Sequence, residues 1–255
     1  MNIVTTTLRA LHTEAIKLKG TLALWMCLIA PLTIVTLSVL LIGLNSNSRL
    51  PKDASAFWYS HVRSNYAFWG LLMLPLFVTL EAALLAQLEH ANLRWKHLLA
   101  LPVPRASHYL AKGVALALLV ALATIATMLL IPISAWALDA LRPEYVPNGH
   151  VPIDVLLKMG ASMWLAGLLM VAIHTWAAQR WSSFTVAVSI GITATVVGFL
   201  MSQSSRFAHW FPWSMPVQFA ANGSEHLTFA LTAGSLGGIV LFLLGAWGFA
   251  HREHG

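Results

Sequence analysis

The chain has little charge. Asp, Glu, Lys and Arg together make up 9% of its 255 residues, against roughly 25% in soluble domains. A water-soluble protein of this length could not hide so much apolar surface in one core, so a soluble globular domain is excluded. Cysteine is almost missing. Cys27 stands alone, cannot close an internal disulfide, and lies inside an apolar run as a buried hydrophobe would. Catalytic patterns are missing too. None of the eleven histidines stands in H-E-x-x-H, which excludes the zinc-protease helix. Ser235 in "AGSLGG" lacks a G-x-S context, so an intramembrane serine protease is set aside. No residue set with metal-ligand spacing is found, and no catalytic residue is assigned. No lysine is followed by Ser or Thr, so the phosphate-cradling G-x-x-x-x-G-K-[ST] loop is absent. No basic patch with interleaved aromatics suggests a nucleic-acid surface.

What the chain does have is long apolar runs. Hydrophobic residues make up 58% of it, and the mean hydropathy is +0.73. Six runs can be read, at 20–44, 66–88, about 109–138, 155–176, 184–201 and 228–249. Each is long enough to cross roughly 30 Å of hydrocarbon as a helix. Pro31, Pro75, Pro132 and Gly167 fall within them, which membrane helices tolerate when neighbours satisfy the freed backbone groups. The expected fold is an all-α membrane protein with six transmembrane helices in one domain over 20–255. The third run is longer than a crossing requires, so Lys112 near its start is expected at the interface.

Residues 1–19 form a basic leader. Leu8, Leu11, Ala15 and Leu18 share one helical face, and Arg9, Thr13, Glu14 and Lys17 the other. That pattern predicts a helix lying in the membrane surface. The apolar run after it is about twice a usual signal h-region, so the first span is read as uncleaved. Six spans put both termini on one side. With the N-terminus inside, Arg9, Lys17, Lys19, Arg94, Lys96, Arg105, Lys112, Arg180 and Arg252 are cytoplasmic. Arg49, Lys52, Arg63, Arg142, Lys158 and Arg206 are outside. This is the positive-inside bias, and Trp25, Trp176, Trp181 and Trp247 inside with Trp58, Trp69, Trp136, Trp210 and Trp213 outside form interfacial belts. The net charge of +6 therefore reads as membrane orientation, not nucleic-acid binding.

Between the second and third runs stands "NLRWKHLLALPVPR", from Asn92 to Arg105. Trp95, Leu98 and Leu99 are spaced i, i+3, i+4 and make one apolar stripe. Arg94 lies beside it and Lys96 away from it. Asn92 is an N-cap candidate, and Pro102 and Pro104 stop the helix. Such a helix either lies on headgroups or seats its stripe in a partner's groove. Within the runs, Glu81 and His174 are ionisable groups at intramembrane depth, where they face protein or water. Glu81 reads as a helix-locking carboxyl, paired with His174 or a Thr, or as a group on a substrate or proton path. Gly234 and Gly238 form a GxxxG extended by Gly245, a face for close helix packing.

The basic leader, the stretch from Glu89 through "LRWKHLLALPVPRASHYLAK" to Lys112, and "PWSMP" at Pro212–Pro216 resemble the permease subunit of an ATP-binding-cassette (ABC) exporter. The resemblance is to the branch that includes lantibiotic and bacitracin immunity permeases. It implies that 1–19 is an "elbow" helix and that about 92–102 is a cytoplasmic coupling helix docking on an ATPase through Arg94, Trp95, Lys96, Leu98 and Leu99, closed by Pro102. It implies a re-entrant or interfacial outer segment at about 204–226. It also implies a separate ABC ATPase in two copies that carries ATP and Mg, no cofactor on this chain, and a second permease chain. It further implies a setting in the bacterial cytoplasmic (inner) membrane and an amphipathic peptide or lipid-like substrate. The alternative from the residues is a proton-coupled secondary transporter using Glu81. No repeat of the first three runs is evident in the last three, which disfavours an inverted-repeat transporter.

Overall fold

The computed structural model describes residues 3–45, 51, 53–90, 104–142, 149–181, 183–204, 206–219 and 226–251. Its regular structure is helical throughout, with no strand among the described residues. A leader helix α1 (Ile3–Leu18) precedes six helices long and apolar enough to cross a membrane. These are α2 (Leu22–Leu44), α3 (Ala54–Leu88), α4 (Arg105–Leu141), α5 (Ile153–Arg180), α6 (Phe184–Ser202) and α7 (Leu227–Ala250). The protein is an all-α membrane protein with six spans, as expected.

Two spans are longer than their apolar runs. The second starts at Ala54 rather than near Tyr66 and is 35 residues long; the third reaches 37. At 1.5 Å per residue each exceeds roughly 50 Å, well beyond the hydrocarbon. The added turns of α3 are amphipathic. Phe57, Trp58, His61, Val62, Asn65 and Tyr66 form a buried stripe at i, i+1, i+4, i+5 spacing, which a hydropathy window averages away. Asp53 caps this start by accepting from the Ala56 N–H at 2.9 Å. The stripe packs on the matching end of α4, where His61 Nε2 meets Ser134 Oγ at 2.8 Å. Tyr66 Oη donates to the Leu156 carbonyl at 3.0 Å and so reaches α5.

Both α3 and α7 contain a π turn, at Trp69–Met73 and Ala233–Gly237. In α3 the turn sits just before Pro75. Proline has no N–H for the carbonyl four residues back and its ring crowds it; a widened turn absorbs that mismatch. Both turns face one stretch of α5. A Cβ on Gly70 would meet Met163 and Val217 side chains at 2.9 Å, and one on Gly234 would lie 2.5 Å from the Ala166 backbone. The core is built here, from Trp69, Leu74, Phe77, Met163 and Met170, all buried. α6 and α7 bury only 22% and 17% of their apolar windows. Leu236, Ile239, Val240 and Leu243 stay exposed, which costs nothing against hydrocarbon.

α1 forms within the expected leader, but its faces divide differently. Leu8, Ala15 and Ile16 are exposed, whereas Thr6, Glu14 and Leu18 are buried. Glu14, assigned to the solvated face, turns inward because α4 offers it polar partners. Thr6 Oγ1 lies 3.0 Å from Ser107 Oγ. The chain then turns into α2 through Gly20, whose φ of 73° lies in the left-handed region that favours glycine.

Candidate functional site

Besides the His61–Ser134 pair, three polar clusters stand out among the described residues of this apolar bundle. The first ties α1 to α3 and α4. Glu14 is 4% exposed and Lys112 is 3% exposed. Lys112 Nζ lies 3.3 Å from Glu14 Oε2 and donates to the Leu85 carbonyl of α3 at 2.9 Å. Lys17 Nζ binds the other carboxylate oxygen at 2.7 Å. Burial alone would push the Glu14 carboxyl up. The Lys112 charge and the Lys17 hydrogen bond and charge outweigh it and hold the pKa below its ordinary value. Lys112 is thus the centre of a buried clip rather than a solvent-facing cation. Its signal in the sequence was a lone cation within the apolar third run; nothing local to that run could name Glu14, 98 residues away, as its partner.

The second cluster holds His174, and it overturns one expectation. His174 is not paired with Glu81. Its Nε2 accepts from Trp213 Nε1–H at 3.2 Å, which places the ring proton on Nδ1. Thr79 Oγ1 approaches at 3.4 Å while donating to the Pro75 carbonyl at 2.8 Å. Trp213 comes from the "PWSMP" stretch between α6 and α7. That stretch divides: Trp210 is exposed, whereas Trp213, Ser214, Met215, Pro216 and Val217 are buried. Pro216 comes within van der Waals reach of Gly167, and Trp213 packs on Gly198. Gly167 lies near the middle of α5, roughly 20 Å from either end. The buried half of the segment therefore inserts to mid-bundle, beside Gly167, as the re-entrant alternative has it.

Glu81 forms no cluster. It is 0% exposed, and both carboxylate oxygens lack a hydrogen-bond partner among the described residues. Its helical neighbours Phe77, Val78 and Leu85 are buried and apolar. A carboxyl so placed is expensive in its charged form. The third cluster lies where α4 begins and α5 and α7 end. Tyr109 Oη and both polar atoms of Gln179 are buried without a described partner. Nothing in the sequence marks them, since Tyr and Gln near helix ends are ordinary interfacial residues.

The three packing glycines separate. Gly234 and Gly238 lie against the α5 backbone, at Ala166 and Leu168. Gly245 instead makes room for Tyr109: a Cβ there would fall 2.1 Å from its hydroxyl. Arg94, Trp95, Lys96, Leu98, Leu99 and Pro102 lie outside the described residues. Their flanks do not: helix continues to His90 on one side and starts at Arg105 on the other. Among the described residues no His, Cys, Asp or Glu group is arranged to hold a metal ion.

Six spans, a clip joining the leader to the helices on both sides of the 92–102 segment, and a buried segment between α6 and α7 suit a membrane permease. A sequence model of the family described as ABC-2 family transporter protein matches residues 10–200. The chain belongs to this family. No curated protein matches it. As an ABC-2 permease it is the multi-pass membrane subunit of an ABC transporter, a transport rather than a catalytic chain, and it works with an ABC ATPase subunit. That decides between the two energy sources left open by the residues in favour of the ATPase.

Proposed function

We propose that this ABC-2 permease is the membrane half of an exporter. It pairs with a second permease chain and two ATPase copies, which bind ATP and Mg, and it moves an amphipathic solute. An antimicrobial peptide, in an immunity role, or a lipid-like molecule fits that description. Both termini and the 92–102 segment face the cytoplasm of a bacterial cell, in keeping with the basic residues on that side. The 92–102 segment is the coupling helix, its Trp95–Leu98–Leu99 stripe seated on the ATPase and its Arg94 and Lys96 at the rim, and α1 is the elbow helix.

The observation that carries this reading is the Lys112 clip. One ammonium holds α3 near its end, α4 near its start and α1 together, within about three helical turns of either end of the proposed coupling helix. A push on that helix would move all three elements as a unit, as a lever does in a rigid-body transition. The test is a pull-down of the ATPase by a tagged Trp95→Ala/Leu98→Ala permease. Removing a buried apolar stripe at a hot spot costs about 2–4 kcal/mol, or roughly 30- to 900-fold in affinity. Expression and insertion should persist. Undiminished co-purification and ATPase stimulation would refute the coupling-helix assignment and leave the stripe as a headgroup contact.

A further inference from the structure

The third cluster borders a cleft of about 240 Å³ between α4, α5 and α7. Tyr109 is 1% exposed and Gln179 7%, and both line it. Buried polar atoms nearly always have hydrogen-bond partners. Here the Tyr109 hydroxyl and the Gln179 amide nitrogen and oxygen have none among the described residues, so three orphan atoms surround one cleft. The glycines keep it open. Gly245 admits the Tyr109 hydroxyl, and a Cβ on Gly248 would meet nothing within 4 Å.

The lining says what belongs there. Arg180 is the charged member among the described residues that line it, and none of these is a carboxylate, so the ligand is anionic. The volume falls short of the ~300 Å³ at which drug-sized pockets begin, so it takes a headgroup and not a whole amphiphile. Trp176 and Leu244, exposed beside it, offer an aromatic and an aliphatic flank of the kind found where headgroups meet acyl chains. We propose that this cleft binds the phosphodiester headgroup of a phospholipid. The Tyr109 hydroxyl and Gln179 amide N–H donate to phosphate oxygens, and the Arg180 guanidinium supplies the charge. The Gln179 oxygen needs a donor, so it selects headgroups bearing a hydroxyl or ammonium, as in phosphatidylglycerol or phosphatidylethanolamine, over phosphatidylcholine. The site does not depend on which solute the permease moves.

The test is native mass spectrometry of the full chain in detergent, titrated with these three lipids at matched acyl length and with inorganic phosphate. Phosphatidylglycerol or phosphatidylethanolamine should bind at least about threefold more tightly than phosphatidylcholine, the worth of one hydrogen bond. Tyr109→Phe, which keeps the ring, should weaken that binding about three- to tenfold, and Gly248→Leu, which fills the cleft, should abolish it. If Gly248→Leu does not fold, Tyr109→Phe decides alone. Equal binding of the three lipids, or variants that bind like the native chain, would overturn the proposal and leave a water-filled cleft. Displacement of lipid by equimolar inorganic phosphate would overturn the lipid assignment in favour of a soluble anion.

Discussion

The Glu14–Lys112 clip lends itself to a quantitative test because its two halves are unequally supported. Glu14→Gln leaves the Lys112 ammonium buried without its carboxylate. Stranding one member of a buried pair costs about 3–5 kcal/mol. Lys112→Met keeps most of the lysine stem's volume, and Glu14 keeps Lys17 at 2.7 Å, so this variant should lose about half as much. The double variant removes both charges. Replacing a buried ion pair by neutral groups is often close to neutral, so it should be more stable than Glu14→Gln alone. For a chain of this size 1 kcal/mol shifts Tm by about 2–4 °C. Glu14→Gln should therefore melt roughly 6–20 °C lower, followed by tryptophan fluorescence in detergent. Protection from salt should be near complete, as the pair is buried. The pH dependence follows from the depressed Glu14 pKa. The contribution is present above the ordinary glutamate value of about 4.3 and is lost as pH falls through the lower folded value, so α1 should become protease-sensitive only in that acid range. Equal losses for the two single variants, adding in the double, would show that the charges do not interact and refute the clip.

Two further outcomes follow from the geometry. Glu81 has no described partner, so Glu81→Leu should assemble and melt at least as well as the native chain, since an unpaired buried carboxyl is a penalty. If the residue serves transport, Glu81→Leu in vesicles loses flux while Glu81→Gln reports whether ionisation matters; a Leu variant that fails to assemble would reveal a partner and contradict the packing described here. Gly234→Ala should destabilise by about 1–3 kcal/mol or more, because its Cβ would press 2.5 Å from the Ala166 backbone. Gly248→Ala, facing open space, should be neutral or gain about 0.5–1 kcal/mol. Melting curves of the pair check both.

Much of the fold was legible in the sequence. Six apolar runs of sufficient length require six helices, because hydrocarbon leaves backbone groups no partner but their own helix. Periodicity at 54–66 carried the longer second span as well, but only to a reading by helical spacing; a count of apolar residues missed it. Gly234 and Gly238 were legible as a close-packing face, since only small side chains let two backbones approach. Gly245 was not separable from them, because its neighbour is a tyrosine 136 positions away in the chain (Tyr109 against Gly245).

What the sequence determined alone was length, apolarity and local helical pattern, properties carried by neighbours along the chain and fixed by the solvent they must meet. The tertiary structure decided the polar partnerships between helices. It gave Lys112 to Glu14, His174 to Trp213, and no described group to Glu81. A buried polar atom is satisfied by whichever group the packing of distant helices brings within about 3 Å, and no period within one helix encodes which of the others will stand beside it.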